Sequence, residues 1–263
     1  MLTEPVGAIE FEGIVNFRDF GGAVGAGGRR VRRGLLFRSG HHAQATEGDL
    51  ARIAAIDFAI VVDLRRPAER TRDPARRAPG HRAEILEHAG PADQAMAPHL
   101  AFLAEPNPAL DRVTPQMVVG YREYASDPHY VALYRAYFAR LARVGGPVLV
   151  NCHAGKDRTG FLCALTLHVL GVARADIWAD YLASNGHSRA DARLQELSRR
   201  FNAMHGNAVA EALIRSLLAV NPTYLEAAFA AIDEAHGDLD AYLADVLAVT
   251  PPVRQAIQAH FLV

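Results

Sequence analysis

The sequence is poor in lysine and in cysteine. Lysine and arginine together account for 28 of its 263 residues, and only one of these, Lys156, is a lysine. The two cysteines are Cys152 and Cys163. Because arginine supplies the positive charge everywhere else, a general preference for arginine cannot explain Lys156, and this position favours a compact ammonium group on a flexible stem. The single lysine therefore marks the segment around Cys152 as one with a special chemical demand.

The chain also lacks a basic excess, a long apolar run and a recognisable signal peptide. Its 28 basic residues are matched by 29 acidic ones, whereas general nucleic-acid binders usually carry a clear basic excess. No run approaches the roughly 18 apolar residues of a membrane span. Residues Met1–Pro5 have neither the basic start nor the apolar segment of a signal peptide. We therefore expect a cytoplasmic protein with no nucleic-acid partner and no integral membrane segment. Export without a signal peptide stays open, and the oligomeric state is not indicated.

Neither the histidines nor the cysteines follow a metal-binding pattern. The 12 histidines include no His-Glu-x-x-His motif and no paired Cys/His spacing. Cys163 lies in the apolar run Phe161–Leu165 and is interpreted as a buried core thiol. We expect no metal ion and no other cofactor.

Apolar patterns predict an α/β fold. Phe58–Leu64 and Pro147–Val150 are short apolar runs typical of strands that are buried on both faces, and Val31–Arg38 and Ala83–Leu86 are further candidates. Helical spacing separates these strands and continues through the C-terminal part, from about residue 174 to residue 263. This alternation predicts a mostly parallel central sheet of about four to five strands, flanked by helices.

Residues 89–126 differ from their surroundings. Prolines recur between Pro91 and Pro115 with little periodicity, and an amphipathic helix is predicted from residue 115 to residue 126. An irregular segment joined to such a helix is typical of a lid over a reaction site. We therefore expect residues 1–263 to form one domain with a lid-like insertion at about 89–126.

The most informative segment is Cys-His-Ala-Gly-Lys-Asp-Arg-Thr-Gly, from Cys152 to Gly160. It follows a predicted strand and opens a predicted helix. The backbone N–H groups of such a loop can surround one phosphate, and the helix N-terminus adds partial positive charge. The same field favours the thiolate of Cys152 over the thiol, which makes it a nucleophile at neutral pH.

Other side chains of this segment have predicted tasks. Arg158 can bind two phosphate oxygens through parallel hydrogen bonds, and Asp157, the only acidic residue in the segment, can protonate the leaving oxygen. Thr159 can donate its hydroxyl to the sulfur. Lys156 is expected on the rim of the loop, where it can reach a second phosphate of the substrate; alternatively, it only tunes the potential of the loop. The remaining residues expected to bind the substrate are His153, Ala154, Gly155 and Gly160.

The segment resembles the signature of the Cys-x5-Arg cysteine-dependent phosphatases, in the form found in bacterial tyrosine-protein phosphatases of the mycobacterial type. Four further blocks resemble that family and occur in the same order: Asn16–Gly22, Leu36–Ser39, Val62–Arg65 with Glu69, and Asp180–Asn185. The resemblance implies a metal-independent phosphatase that forms a phosphocysteine intermediate. Its implied substrates are phosphotyrosine proteins, with phosphoinositides and phosphoserine or phosphothreonine as further candidates.

The sequence departs from the family pattern at two places. Asn151 precedes the cysteine where histidine is common, and the stretch around Asp93 lacks the pattern of the family's acid loop, which favours Asp157 over Asp93 as the general acid.

Two alternative functions are considered beside the phosphatase. A rhodanese-like sulfurtransferase is one alternative, although Asp157 and Arg158 have no task in persulfide transfer. A catalytically inactive phospho-binding module is the other, and the intact Cys152 argues against it.

Overall fold

The computed structural model describes residues 7–92, 97–105, 108–186, 190–205 and 210–263, which are called the described residues below. They form an α/β structure in which helices pack around a five-stranded sheet. None of the helices in these ranges combines the length and the apolar character that crossing a bilayer requires.

The central sheet is mostly parallel, as predicted. Its strands are β1 (Arg18–Asp19), β2 (Leu36–Ser39), β3 (Ile60–Asp63), β4 (Glu84–Glu87) and β5 (Val148–Asn151). They lie in the order β1-β2-β5-β3-β4, and only β1, on β2, is antiparallel. The pairing sets Asn151 opposite both Ser39 and Asp63, so three strands end at the same edge. The carboxyl edge of a parallel sheet is where ligands of open α/β folds bind.

Eleven helices are found in the described ranges. They are α1 (Glu47–Ile56), α2 (Pro67–Arg72), α3 (Val113–Tyr124), α4 (Pro128–Leu141), α5 (Asp157–Val169), α6 (Arg174–Leu182), α7 (Ala190–His205), α8 (Glu211–Leu218), α9 (Pro222–His236), α10 (Leu239–Ala241) and α11 (Pro251–Phe261). A π-helical turn at Tyr242–Val246 follows α10, and short 3₁₀ helices lie at Pro98–Ala104 and Leu110–Arg112. The C-terminal part is helical, as the spacing predicted.

Alternation along the strands divides the core between the two faces of the sheet. Val148 and Val150 belong to the larger apolar cluster, whereas Leu149, between them, belongs to a smaller cluster that includes Leu50 of α1. Successive strand residues point to opposite faces, so a strand that is apolar at every position needs cover on both sides. Cys163 is fully buried in the larger cluster, which confirms its interpretation as a core thiol.

The prediction of a lid over residues 89–126 is wrong for its helical half. Met117 and Tyr121 of α3 are buried in the larger core, and α3 packs along α9. An amphipathic pattern marks one apolar face and does not tell whether that face covers a site or belongs to the core. Helix α3 is therefore part of the packed core and does not form a flap over the site.

Candidate active site

The cysteine loop, defined here as Cys152–Lys156, connects the central strand β5 to α5. β5 ends at Asn151, and α5 begins at Asp157. The loop therefore lies at the carboxyl edge of the sheet, in front of a helix N-terminus whose free N–H groups and partial positive charge attract anions. Cys152 is 2% exposed. The strand–loop–helix context predicted from the sequence is confirmed.

Two distant side chains hold the backbone of the loop. The amide nitrogen of Asn16 donates to the carbonyl oxygen of Gly155 at 2.7 Å, and Nη2 of Arg38 donates to the same oxygen at 2.9 Å. The C=O and N–H of a trans peptide point in opposite directions, so these bonds turn the N–H of Lys156 away from Asn16 and Arg38. Asn16 itself has φ of 55°, a left-handed conformation that asparagine tolerates better than most residues.

Gly155 makes the closed shape of the loop possible. Its φ is +70°, and a Cβ at this position would lie 2.3 Å from the carbonyl carbon of Ser39 and 2.5 Å from the nitrogen of Gly40. Both contacts are with backbone, which cannot rotate away as a side chain can. Gly155 is therefore required for two reasons, its left-handed conformation and its close approach to β2.

Gly155→Ala and Gly28→Ala separate these two requirements. Gly28 has a φ of +73° and open space around the position of a Cβ. The left-handed conformation alone costs about 1–2 kcal/mol, so Gly28→Ala is expected to lower the free energy of unfolding by roughly that amount. Gly155→Ala adds an overpacking cost of about 1–3 kcal/mol and should distort the loop. Denaturant unfolding of both variants measures the difference, and equal losses would show that contact with β2 is unimportant.

A buried charge network lies behind the loop. Asp180 of α6 forms ion pairs with Arg18 of β1 and Arg38 of β2, and Nη2 of Arg18 also donates to the carbonyl oxygen of Asp180 at 2.8 Å. Burial raises the pKa of Asp180, but the charges of Arg38 and Arg18 outweigh it and hold the pKa below its usual value. Since Arg38 also binds the carbonyl of Gly155, this network fixes the cysteine loop relative to the sheet.

Arg158 is oriented by a carboxylate. Its Nη1 and Nη2 bind the two oxygens of Glu69 of α2 at 2.6 Å and 2.8 Å, and Nη1 also donates to the carbonyl oxygen of Leu64 at 3.2 Å. Burial raises the pKa of Glu69, but the charge and the hydrogen bonds of Arg158 hold it well below the usual value. The two parallel bonds fix the plane of the guanidinium, so Arg158 is positioned before any ligand arrives.

Asp157 is held at the start of α5 by two donors. Nζ of Lys156 lies 3.0 Å from Oδ1 and 2.9 Å from Oδ2 of Asp157, and the hydroxyl of Tyr121 donates to Oδ1 at 2.8 Å. The Tyr121 oxygen lies 2.8 Å from the hydroxyl of Tyr181, which continues the network into α6. The carboxyl group therefore has one orientation, set by three elements of the fold.

The expectation that Lys156 stands on an open rim is wrong. Its side chain is 8% exposed, and besides Asp157 its ammonium group contacts the carbonyl oxygen of Ala219 at 3.3 Å. Ala219 directly follows α8, far along the chain. Lys156 therefore connects Asp157 to the α8–α9 turn. Because its ammonium group points toward these two partners, the structure does not favour a contact between Lys156 and a second phosphate of the substrate.

The remaining loop residues differ in their surroundings. His153 stacks on His41 with ring centroids 4.7 Å apart. The hydroxyl of Thr159 is buried and has no hydrogen-bond partner among the described residues, so the expected bond to the sulfur of Cys152 is not formed. Gly160 provides space for Tyr181, whose ring would lie 2.8 Å from a Cβ there. Direct substrate contacts of Thr159 and Gly160 stay predictions.

The loop opens into a cavity of about 300 Å³. Its polar lining includes the sequence-predicted residues Cys152, His153, Ala154, Lys156, Asp157 and Arg158, together with Arg66, Glu69, Arg72 and His99. The remaining lining residues are mainly apolar: Ala97, Leu100, Leu103, Met117, Tyr124, Leu197, Phe201, Leu217 and Leu218. A small set of convergent polar groups within an apolar wall is the usual form of a ligand site.

Sequence reasoning missed Tyr121 and the walls supplied by α7 and α8. A signal for Tyr121 existed, because Met117, Tyr121 and Tyr124 follow the spacing of a buried helical face. For Leu217 and Phe201 no local signal distinguishes a cavity wall from an ordinary core contact. The alternative acid, Asp93, lies outside the described residues. Within the described ranges, no three metal-ligating side chains cluster together.

Comparisons with known proteins identify the family of this chain. The model of the tyrosine phosphatase family matches residues 9–263. A Cupriavidus necator protein named "Putative tyrosine-protein phosphatase" is 41% identical over 263 residues, covering 97% of this chain and 88% of the relative. "Triple specificity protein phosphatase PtpB" of Mycobacterium tuberculosis is 32% identical over 265 residues, covering 90% of this chain and 92% of the relative. The resemblance inferred from the sequence is thus confirmed, and the chain belongs to the tyrosine phosphatase family.

Proposed function

We propose that residues 1–263 form a single metal-independent phosphatase that hydrolyses phosphomonoesters through a phosphocysteine intermediate. The observation that carries the proposal is the convergence of Cys152, Asp157 and Arg158 on one cavity at a helix N-terminus. These three groups correspond to a nucleophile, a proton donor and a binder of phosphoryl oxygens. No metal ligand is needed for these roles, because Arg158 and the backbone N–H groups balance the charge.

The first step transfers the phosphoryl group to the enzyme. The Cys152 thiolate attacks phosphorus, the bond from phosphorus to the ester oxygen breaks, and Asp157 gives its proton to the leaving oxygen. Arg158 binds two of the phosphoryl oxygens. Lys156 and Tyr121 keep the carboxyl group of Asp157 in position for this transfer.

The second step releases phosphate. A water molecule attacks phosphorus on the side opposite the sulfur, Asp157 takes up a proton from it, and the bond from phosphorus to sulfur breaks. The thiolate of Cys152 and the proton on Asp157 are thereby restored for the next cycle. The helix N-terminus favours sulfur as a leaving group, because it stabilises the developing negative charge.

Phosphotyrosine proteins are the proposed main substrates. The apolar wall around Met117, Leu100 and Leu103 suits an aromatic ring attached to the scissile phosphate. Phosphoinositides, phosphoserine and phosphothreonine are proposed as further substrates because one relative carries the words triple specificity in its name. Comparing kcat/KM for phosphotyrosine, phosphoserine, phosphothreonine and phosphoinositide substrates measures how many of these classes the chain accepts.

Hydrolysis of p-nitrophenyl phosphate, with and without a chelator, tests the proposed function. We expect turnover that the chelator leaves unchanged. A rhodanese-like sulfurtransferase would instead transfer sulfur from thiosulfate to cyanide, and an inactive binding module would do neither. No observation in the cavity favours these alternatives, since persulfide transfer gives no task to a carboxyl group fixed at the helix start. Chelator-sensitive turnover would contradict the metal-independent mechanism.

A further inference from the structure

The cavity lining contains two arginines that the proposed chemistry does not use, Arg66 and Arg72. Arg66, at the end of the β3–α2 connection, lines the same cavity as Cys152 and Arg158. The other cations of the cavity are paired: Arg158 with Glu69, Lys156 with Asp157 and Arg72 with Asp73. The guanidinium of Arg66 makes no ion pair or hydrogen bond with any of the described residues. Its positive charge is available to a ligand.

His99 adds a second polar group without a partner. It is 5% exposed, it lines the cavity, and its Nδ1 is buried with no hydrogen-bond partner within the described ranges. A buried polar atom in this state costs free energy unless a ligand or water binds it. The ring lies close over Gly120 of α3, where a Cβ would come within 2.4 Å of Nδ1. The glycine thus leaves room for an imidazole at this position.

The side chains of Arg66 and His99 line the same cavity. Burial first, and then the positive charge of Arg66, lower the pKa of His99 to about 4. The imidazole is therefore neutral at physiological pH and offers one N–H donor. An arginine beside such a donor is suited to a carboxylate or phosphate, because it provides charge together with directed hydrogen bonds.

The apolar residues of the cavity lining restrict which ligand can carry this second anion. Leu100, Leu103 and Met117 offer no hydrogen bonds to a ligand from their side chains. An inositol ring would place hydroxyl groups against them and lose hydrogen bonds to water. A tyrosine ring would bury apolar area there instead. A phosphotyrosine side chain followed or preceded by an acidic residue therefore fits better than a phosphorylated inositol.

We infer that Arg66 and His99 form an anion subsite beside the cysteine loop, which selects phosphotyrosine peptides with an acidic residue next to the phosphotyrosine. The inference rests on the proposed phosphatase function and names a substrate preference within it. Arg66 offers the second cation that the sequence had suggested at Lys156, because the ammonium group of Lys156 is held by Asp157 and by the carbonyl oxygen of Ala219, and the guanidinium of Arg66 has no such contact among the described residues.

Matched peptides measure the subsite. One series carries aspartate or glutamate on either side of phosphotyrosine, and the other carries asparagine or glutamine at the same positions. For the preferred acidic peptide, Arg66→Gln is expected to lower kcat/KM by about tenfold, equivalent to 1.4 kcal/mol, mainly through KM. The neutral peptides should change by no more than about twofold, since they lose no charged contact. Arg66→Lys should recover part of the preference.

Two further variants complete the test. Arg143→Gln removes an exposed positive charge that precedes β5, at the opposite edge of the sheet, and should leave the peptide preference unchanged. His99→Asn should weaken the preference for acidic peptides while turnover of neutral peptides persists. Melting temperatures of all variants identify any that fail to fold.

The outcomes separate the subsite from the function on which it rests. Equal losses on both peptide series in Arg66→Gln would overturn the subsite, because Arg66 would then serve the scissile phosphate. Absence of an acidic preference in the wild type would overturn it as well. If Arg66→Gln lowered kcat/KM only for a soluble inositol bisphosphate and left both peptide series unchanged, the peptide assignment would be overturned. If the wild type hydrolyses no peptide and no p-nitrophenyl phosphate, the proposed function itself fails.

Discussion

Replacing Cys152 by serine is expected to reduce turnover of p-nitrophenyl phosphate to less than about one per cent of wild type. Serine keeps nearly the same size but loses the thiolate, and even auxiliary catalytic groups contribute about 10²–10⁴-fold. Binding of inorganic phosphate should persist, because the loop backbone, held by Asn16 and Arg38, and the Arg158–Glu69 pair do not depend on the sulfur. Steady-state kinetics and phosphate titration by calorimetry measure the two effects separately.

Cys163 provides the matched control. It is fully buried in α5, and burial raises the pKa of its thiol to about 12, so it stays protonated. Cys163→Ala is expected to cost some stability by leaving a small cavity and to keep most of the turnover. If Cys152→Ser retains more than about one per cent of activity, or if Cys163→Ala loses as much as Cys152→Ser, the covalent mechanism through Cys152 is contradicted.

Local sequence was sufficient for the parts of the site that are local in structure. The cysteine loop is one uninterrupted segment between an apolar strand and an apolar helix, so its strand–loop–helix form follows from patterns within about 20 residues. The sheet was predictable for the same reason, since β3 and β5 are apolar at nearly every position. The strand β1 was not, because two residues carry no periodicity.

Long-range contacts decide what the loop residues face, and a single sequence does not contain them. Arg18 and Asp180 are 162 positions apart, and Tyr121 and Asp157 are 36 positions apart. The side chain of Lys156 has several rotatable bonds, and its direction is set by Asp157 and by the carbonyl oxygen of Ala219. Only the packing of the α8–α9 turn against the loop shows that this lysine is turned inward.

The same limit explains the error over residues 89–126. Proline-rich segments are typical of irregular structure, and the short 3₁₀ helices at Pro98–Ala104 and Leu110–Arg112 agree with that. Whether the following helix α3 covers a site or fills the core depends on the partner of its apolar face. That partner is α9, which begins about a hundred residues later in the chain.

Asp157→Asn is expected to slow phenyl phosphates with poor leaving groups by about 10²–10⁴-fold, the usual contribution of a general acid. A good leaving group such as p-nitrophenolate departs without a proton, so its rate should fall far less. Asparagine keeps the shape of the carboxyl group and can still accept the bond from Tyr121, which preserves the start of α5. Rates for a series of aryl phosphates, plotted against the pKa of the leaving phenol, measure the effect as a steeper slope.

Two other variants determine whether this slope belongs to Asp157. Tyr121→Phe removes the 2.8 Å hydrogen bond to Asp157 but keeps the acid, so a smaller increase in slope is expected. Asp93→Asn should leave the slope of the wild type unchanged. If Asp93→Asn steepens the slope and Asp157→Asn does not, then Asp93 is the general acid. In that case, the contacts of Lys156 and Tyr121 with Asp157 serve only to fix the start of α5 beside the cysteine loop.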